Sequence, residues 1–394
     1  MITITGLAVY ALKIAAVRSN TSLLPPGEGD SLPPFFPPVS VLKPLKGLDD
    51  SLFDNLESFC LQDYPQYEII FCLQDHNDPA CKVARKIKEK YGDRDIAIVV
   101  ENYNRGLNPK VNNLMPAYKA ARYDHILISD SNVFVEKDYL KTTAKHMNDP
   151  DVGLVTNIIK GVRAATLGSV FENLHLNSFI VGSVCFLDRF LGMPCVIGKS
   201  MLMRKSDLEA IGGLKSVENI LAEDYVIGER IHKTGKKIVL SNYPISNVNE
   251  YWGIRKFFNR HTRWGKLRRK FGGIKYISEL IFNPVFMSVI PLLLCGPNVM
   301  TVSLPLFAGA IKVLVDLYLG RLIASGMNPM LYLLSPIKDI LIGIIWFVPI
   351  LSNTVVWRGN RYVIGKNSSL SPMHVDSVWA WRYRIFDAIR ARLA

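Results

Sequence analysis

The chain has 394 residues, 49% of them hydrophobic and 21% charged, with a mean hydropathy of +0.16 and a formal net charge of +13. That length excludes one ordinary soluble domain, and the apolar surplus fits a folded protein carrying some membrane-embedded segments. Six cysteines without a Cys-x-x-Cys pair or a nearby histidine cluster exclude a zinc site or a disulfide frame and suit a reducing compartment.

The first segment, Met1 to Val17, is apolar apart from Lys13 and ends at Arg18. A full span takes about 20 apolar residues, so residues 1–18 are either a marginal span or an interfacial anchor. No convincing cleavage site marks them as a removable signal. Residues 19–38, rich in Pro, Gly and Ser, form a linker.

From Val39 the pattern becomes alternating. Short β-rich runs occupy Val39–Leu42, Tyr67–Leu73, Ile96–Val100 and His125–Ser129, with helical stretches at Ser51–Cys60, Pro79–Tyr91 and Pro109–Ala121 between them. Such alternation predicts an α/β fold with a largely parallel sheet and crossover helices. Ligands of these sheets bind at the carboxyl ends of the strands, where Asp75 and Asp130 stand. Beyond Val152 the sequence predicts a long helix over Ala164–Phe186, a strand within Cys195–Arg204, a helix opening near Glu223 and a strand at Lys237–Leu240.

Next comes a basic helix, Trp252 to Phe271. Nine basic and no acidic residues lie between Tyr251 and Ser278, so much of the excess charge is one local patch. Apolar runs follow at Leu280–Ile311, Leu322–Ile337 and Ile340–Trp357; Pro284, Pro291, Pro297 and Pro305 break the first into broken or re-entrant helices. A basic patch just before this region places the sheet domain in the cytosol by the positive-inside rule. It suits anionic headgroups or a diphosphate, and nucleic acid is not an expected partner.

Four places can carry chemistry. Asp130, in Ile128-Ser129-Asp130-Ser131-Asn132, ends a strand, where a carboxylate can hold Mg²⁺ or Mn²⁺ against a diphosphate; it can equally be a turn residue. Asp75 shares that strand-end position, beside an Asp78-Pro79 helix start. Asp224 opens a helix after Glu223, as a general base or as a dipole complement. Arg260 and Arg263 lie on one face of the basic helix, followed by Trp264. Gly192 to Ser200 imitates a phosphate-binding loop, but its glycine spacing is wrong and a strand, not a helix, is predicted to follow.

In this order, Asp75, Asp130, Asp224 and Arg260-x-x-Arg263-Trp264 resemble the motifs of family 2-like glycosyltransferases that act processively or on lipids. Val39-Ser40-Val41-Leu42-Lys43-Pro44-Leu45-Lys46-Gly47, Gln74-Asp75-His76, the run Asn108 to Pro116, Ala222-Glu223-Asp224-Tyr225 and Arg263-Trp264 are more narrowly similar to ceramide glucosyltransferases. The resemblance implies a GT-A fold over residues 39–250, a basic interfacial helix at 251–278 and a membrane domain with tail at 279–394. It implies an inverting transfer from a UDP-sugar, UDP-glucose as the usual donor, to a lipid hydroxyl, ceramide as the usual acceptor. Asp75 would then contact the nucleoside and Asp130 the Mg²⁺ or Mn²⁺ on the diphosphate. Asp224 would be the base, Lys110 would lie near the donor, and Arg260, Arg263 and Trp264 would line the diphosphate and the acceptor entrance. Two departures stand out: the metal triplet ends in Asn132, and Met201 replaces a usual Cys. A hopanoid or diacylglycerol acceptor, or a processive polysaccharide synthase, remains as the alternative.

Overall fold

The computed structural model describes residues 2–21, 36–193, 195–357 and 360–373. Most of the expected linker at 19–38, and the tail beyond 373, lie outside the described residues.

Eleven strands are present among them. The first eight, β1 (Val39–Pro44), β2 (Tyr67–Leu73), β3 (Ile96–Val100), β4 (His125–Ile128), β5 (Val133–Phe134), β6 (Val152–Val162), β7 (Met201–Arg204) and β8 (Lys237–Val248), form one sheet in the order β3-β2-β1-β4-β7-β6-β8-β5. The β3-β2-β1-β4 half is parallel throughout, and β7 joins it antiparallel to β4. Both faces are covered, as a parallel sheet requires. Val41, Ile69 and Phe71 pack with Phe59 and Ile87 on one side, while Leu42, Ile70 and Ile128 pack with Leu114 and Ile227 on the other.

Local sequence sets the crossover helices. Asp78 accepts from the Ala80 amide at 3.0 Å and starts Pro79–Lys90. Asn108 accepts from the Lys110 and Val111 amides at 2.9 and 3.1 Å and starts Pro109–Ala120. In both, proline takes the first helical position, where no amide donor is needed.

Three expectations need correction. Val152–Val162 is a strand, and the helix expected from Ala164 begins at Leu167. The strand expected at Lys237–Leu240 runs on to Val248, because β6 pairs with it far past Leu240. The apolar run Ile340–Trp357 is not one membrane segment: its end, Thr354–Trp357 (β9), pairs with Asn360–Ile364 (β10), which pairs with Leu370–Pro372 (β11).

Helices Leu167–Leu191, Val299–Leu322 and Pro329–Leu351 are long and apolar enough to cross a membrane. Ile254–Ile281 and Pro284–Cys295 form a further pair bent by 66°, the broken geometry expected from the prolines. The Ile2–Thr21 helix packs on Pro284 through Gly6 and against Gly182 through Lys13. Lys312 and Asp316 of one apolar helix meet Lys338 and Asp339 of another in a fully interior quartet. Lys312 reaches Asp339 at 3.3 Å, and Lys338 reaches Asp339 at 2.6 Å and Asp316 at 3.5 Å.

Candidate active site

Because β4 and β7 are antiparallel, the end of one meets the beginning of the other. Ile128 lies opposite Met201, so Asp130, two residues past the ladder, faces Lys199, two residues before it. The chain leading into β7 therefore reaches the same sheet edge as the strand-end aspartate. Lys199 Nζ lies 3.2 Å from Asp130 Oδ2 and 2.6 Å from Asn132 Oδ1.

Lys110, on the first turn of its helix, takes the other oxygen, with Nζ 2.9 Å from Asp130 Oδ1. It also lies 3.1 Å from Glu223 Oε1 and donates to the Gly198 carbonyl at 2.9 Å. Burial alone would raise the Asp130 carboxyl, but the Lys110 and Lys199 ammonium groups outweigh it and hold the group well below the usual carboxylate range. Lys110 is the converse: burial disfavours its charge, yet Asp130, Glu223 and Asp224 keep it firmly protonated. A third lysine, Lys43, is interior and donates to the Asp130 carbonyl at 2.6 Å, with its ammonium 3.8 Å from the Phe59 ring centre.

Glu223 and Asp224 are adjacent but differently committed. Glu223 is tied to Lys110 and receives the Asn108 amide at 3.1 Å. Asp224 accepts only backbone amides, from Gly198 at 2.9 Å and Tyr225 at 2.8 Å. Burial first, and repulsion from Glu223 second, push its carboxyl up to about 6. An acid titrating there is a carboxylate at neutral pH and basic enough to take a proton, as a general base must be.

Gly198 makes this contact possible. A Cβ there would come within 2.6 Å of Asp224 Oδ2 and force the carboxylate away. We expect Gly198→Ala to lower kcat by about tenfold through that displacement, while UDP affinity changes little. A kcat within twofold of the wild type would show that this contact does not position Asp224.

The basic helix, Ile254–Gly272, contributes two arginines in different states. Arg260 is committed: it pairs with Glu172 at 3.2 Å and lies between the Trp252 and Trp264 rings, 4.9 and 4.3 Å from their centres. Glu172 is 0% exposed and also bonds His261 Nε2 at 2.9 Å. Arg263 has no hydrogen bond or ion pair among the described residues, yet it lies within electrostatic reach of Glu223, Asp130 and Asp224. An unspent guanidinium beside three carboxylates is placed for an incoming anion.

Of the expected site residues, Lys110, Asp130, Asp224 and Arg263 thus gather around one edge. Arg260 and Trp264 stack beside them, and Asp75 stands apart, exposed, accepting the Asn77 amide at 2.9 Å. Lys199, Lys43, Gly198 and Glu172 escaped the sequence reading. Lys199 sat inside the false phosphate loop, and its signal was the strand that follows it. Three further charges of the basic patch are engaged within the protein: Lys266 donates to the Thr354 carbonyl, Arg269 to the Pro349 carbonyl, and Arg268 pairs with Glu279 at 2.7 Å.

The residues around Asp130 do not suit the expected Mg²⁺ or Mn²⁺. One carboxylate supplies the only acidic oxygens of the triplet, each already faces an ammonium group, and the second end is the neutral Asn132. No group of three His, Cys, Asp or Glu able to hold a metal occurs among the described residues. Behind the basic helix, His175, His261 and Asp339 help line a cavity of about 20 Å³. That is room for about one water, and neither Asp130, Lys199 nor Asp224 borders it.

Comparison with known proteins decides the family. The model of glycosyl transferase family 21 matches residues 1–370. The chain belongs to that family. It is 32% identical to ceramide glucosyltransferase 1 of Caenorhabditis elegans over 352 residues, 84% of this chain and 72% of that one. It is 29% identical to ceramide glucosyltransferase 3 of the same organism over 354 residues, 85% of this chain and 74% of that one. Among solved structures, the mannosyltransferase PcManGT from Pyrobaculum calidifontis in complex with GDP-Man and Mn²⁺ aligns with TM-score 0.49 at 16% identity, covering 89% of this chain and 98% of that chain. This family 21 protein is a glycosyltransferase with a mixed, mostly parallel sheet, and its long apolar helices agree with a membrane protein.

Proposed function

We propose that this family 21 protein transfers glucose from UDP-glucose to the primary hydroxyl of ceramide, with inversion, on the cytosolic side of a membrane. The observation that carries the reading is the edge where Asp224, held by two backbone amides, adjoins the cationic set Lys110, Lys199 and Arg263. The names of its relatives supply the sugar and the lipid, and the basic helix before the apolar segments supplies the orientation.

In this reading Asp75 meets the nucleoside, and the lysines with Arg263 receive the diphosphate. Arg260, clamped by Glu172 and two indoles, stiffens the helix that presents Arg263 and shapes the acceptor entrance with Trp264. The Asp224 carboxylate takes the proton of the lipid hydroxyl as its oxygen attacks the anomeric carbon. The bond from that carbon to the β-phosphate oxygen breaks, UDP leaves with the electron pair, and the anomeric configuration inverts. Negative charge grows on the leaving oxygen, where fixed cations lower the barrier.

The test is expression in a host without endogenous glucosylceramide, followed by lipid extraction and mass spectrometry. A new hexosylceramide that disappears with Asp224→Asn is expected. Glycosylated hopanoid or diacylglycerol in its place would move the acceptor, and a polymer would favour the processive alternative.

A further inference from the structure

We propose that the Lys199 ammonium group is the resident cation of the donor diphosphate, standing where a divalent metal would bridge the ends of the Asp130-Ser131-Asn132 triplet, so that donor binding and transfer need no metal. This rests on the nucleotide-sugar reading of the site and departs from the metal role the sequence suggested for Asp130.

The position of Lys199 is fixed by the sheet, not by a chance loop contact. The β4–β7 register that pairs Ile128 with Met201 carries Lys199 across to Asp130. From there Nζ touches both ends of the triplet, at 3.2 Å from Asp130 Oδ2 and 2.6 Å from Asn132 Oδ1. Asn132 is turned for this purpose. Its amide nitrogen donates to Asn247 Oδ1 at 3.1 Å and to the Val248 carbonyl at 3.3 Å, which leaves its oxygen facing Lys199.

The charges balance without a metal. Lys110 and Lys199 bring two positive charges to two carboxylates, Asp130 and Glu223. A metal cation pushed between them would meet repulsion from both ammonium groups, and the neighbouring Glu223 carboxylate is already paired with Lys110. The two lysines are not equivalent. Lys110 spends its three donors on Asp130, Glu223 and the Gly198 carbonyl, whereas Lys199 spends two, on Asp130 and Asn132. That leaves Lys199 one N–H without a partner among the described residues for a phosphate oxygen. Arg260 and Arg263 extend the same positive field along the edge.

The test uses the full chain in detergent, stripped of metals by EDTA. UDP is titrated by calorimetry into the wild type, Lys199→Met and Lys199→Arg, with EDTA or with added Mg²⁺ or Mn²⁺, and UDP release from UDP-glucose is followed in parallel. The wild type should bind UDP with the same Kd within about twofold in EDTA and in metal. Loss of one charge-assisted hydrogen bond should raise the Kd of Lys199→Met by about 10- to 100-fold in EDTA. Lys199→Arg should recover part of that loss, which a merely misfolded Met variant would not explain. Wild-type binding that appears only with Mg²⁺ or Mn²⁺, or Lys199→Met binding UDP as well as the wild type in EDTA, overturns the proposal. Absence of UDP binding under every condition overturns the nucleotide-sugar reading as well, so the two failures are distinguishable.

Discussion

Asp224→Asn lowers kcat by about 10²- to 10⁴-fold, the range for losing a positioned general base. The amide keeps the size of the side chain but has one accepting oxygen, so it can hold either the Gly198 amide, which now meets Oδ2, or the Tyr225 amide, which now meets Oδ1, and not both. The ability to take a proton disappears, together with one amide hydrogen bond. In the unaltered protein kcat/KM should fall about tenfold per pH unit below about 6, where the Asp224 carboxyl becomes protonated, and level off above it. The stability sign is opposite. A carboxyl raised on folding favours the folded state in its protonated form, so as pH rises through about 6 its ionisation costs stability. At pH 7 Asp224→Asn sheds this buried charge but also loses one amide hydrogen bond, so its Tm should stay close to that of the wild type. The two measurements together, kcat by UDP release and Tm by thermal unfolding, decide the matter. An inactive variant with a collapsed Tm would mean a structural aspartate, and an active one would mean that the base lies elsewhere.

Arg263→Lys lowers kcat by about 10²- to 10³-fold while UDP binding in the ground state weakens far less. Arg263 is a half-buried basic-helix arginine whose guanidinium makes no hydrogen bond or ion pair among the described residues, although carboxylates lie within electrostatic reach. Lysine preserves the charge but loses the planar fork that meets two phosphate oxygens at once. That fork matters most when charge accumulates on the leaving diphosphate. Replacement of Lys266, Arg268 and Arg269 by Gln is the natural control, but they bond Thr354, Glu279 and Pro349 respectively. Their loss should appear in Tm, not selectively in kcat. Equal kcat losses with unchanged Tm in both proteins would reduce Arg263 to one more surface charge.

The donor half of this site was legible because strands β1 to β4 end in polar residues at regular intervals, and a parallel sheet gathers those ends at one edge. Asp75 and Asp130 could be placed at that edge from this rule, whereas Lys110 came from the family resemblance. Lys199 could not be placed, since its position depends on β7 running antiparallel to β4, and strand direction is a property of the chain path, not of a four-residue strand. Glu172 was hidden for a different reason. Its only signal was an acid within an apolar helix, and the partners that explain it, Arg260 and His261, lie far away in sequence. The β9–β11 sheet was lost because Thr354–Trp357 continues an apolar run without a break in composition. Its function as a support could not be read at all: the Ser368 carbonyl accepts from Leu221 and the Ser368 hydroxyl from Ala222, just before Asp224.

The interior quartet bears on how the chain enters its bilayer. A lone charge at the centre of an inserting helix costs about 2.5–3.5 kcal/mol on the insertion scale. Here neither helix carries one sign alone: Lys312 and Asp316 sit one turn apart on the first, and Lys338 and Asp339 are neighbours on the second. Each helix can therefore cross the translocation machinery already neutralised by its own pair. The cross-contacts, Lys312 to Asp339 and Lys338 to Asp316, form only when the two helices meet. Inserted separately, the helices are tolerated; brought together, they gain a register that Leu and Ile side chains in lipid would not specify. The quartet thus fixes which faces of the two helices meet.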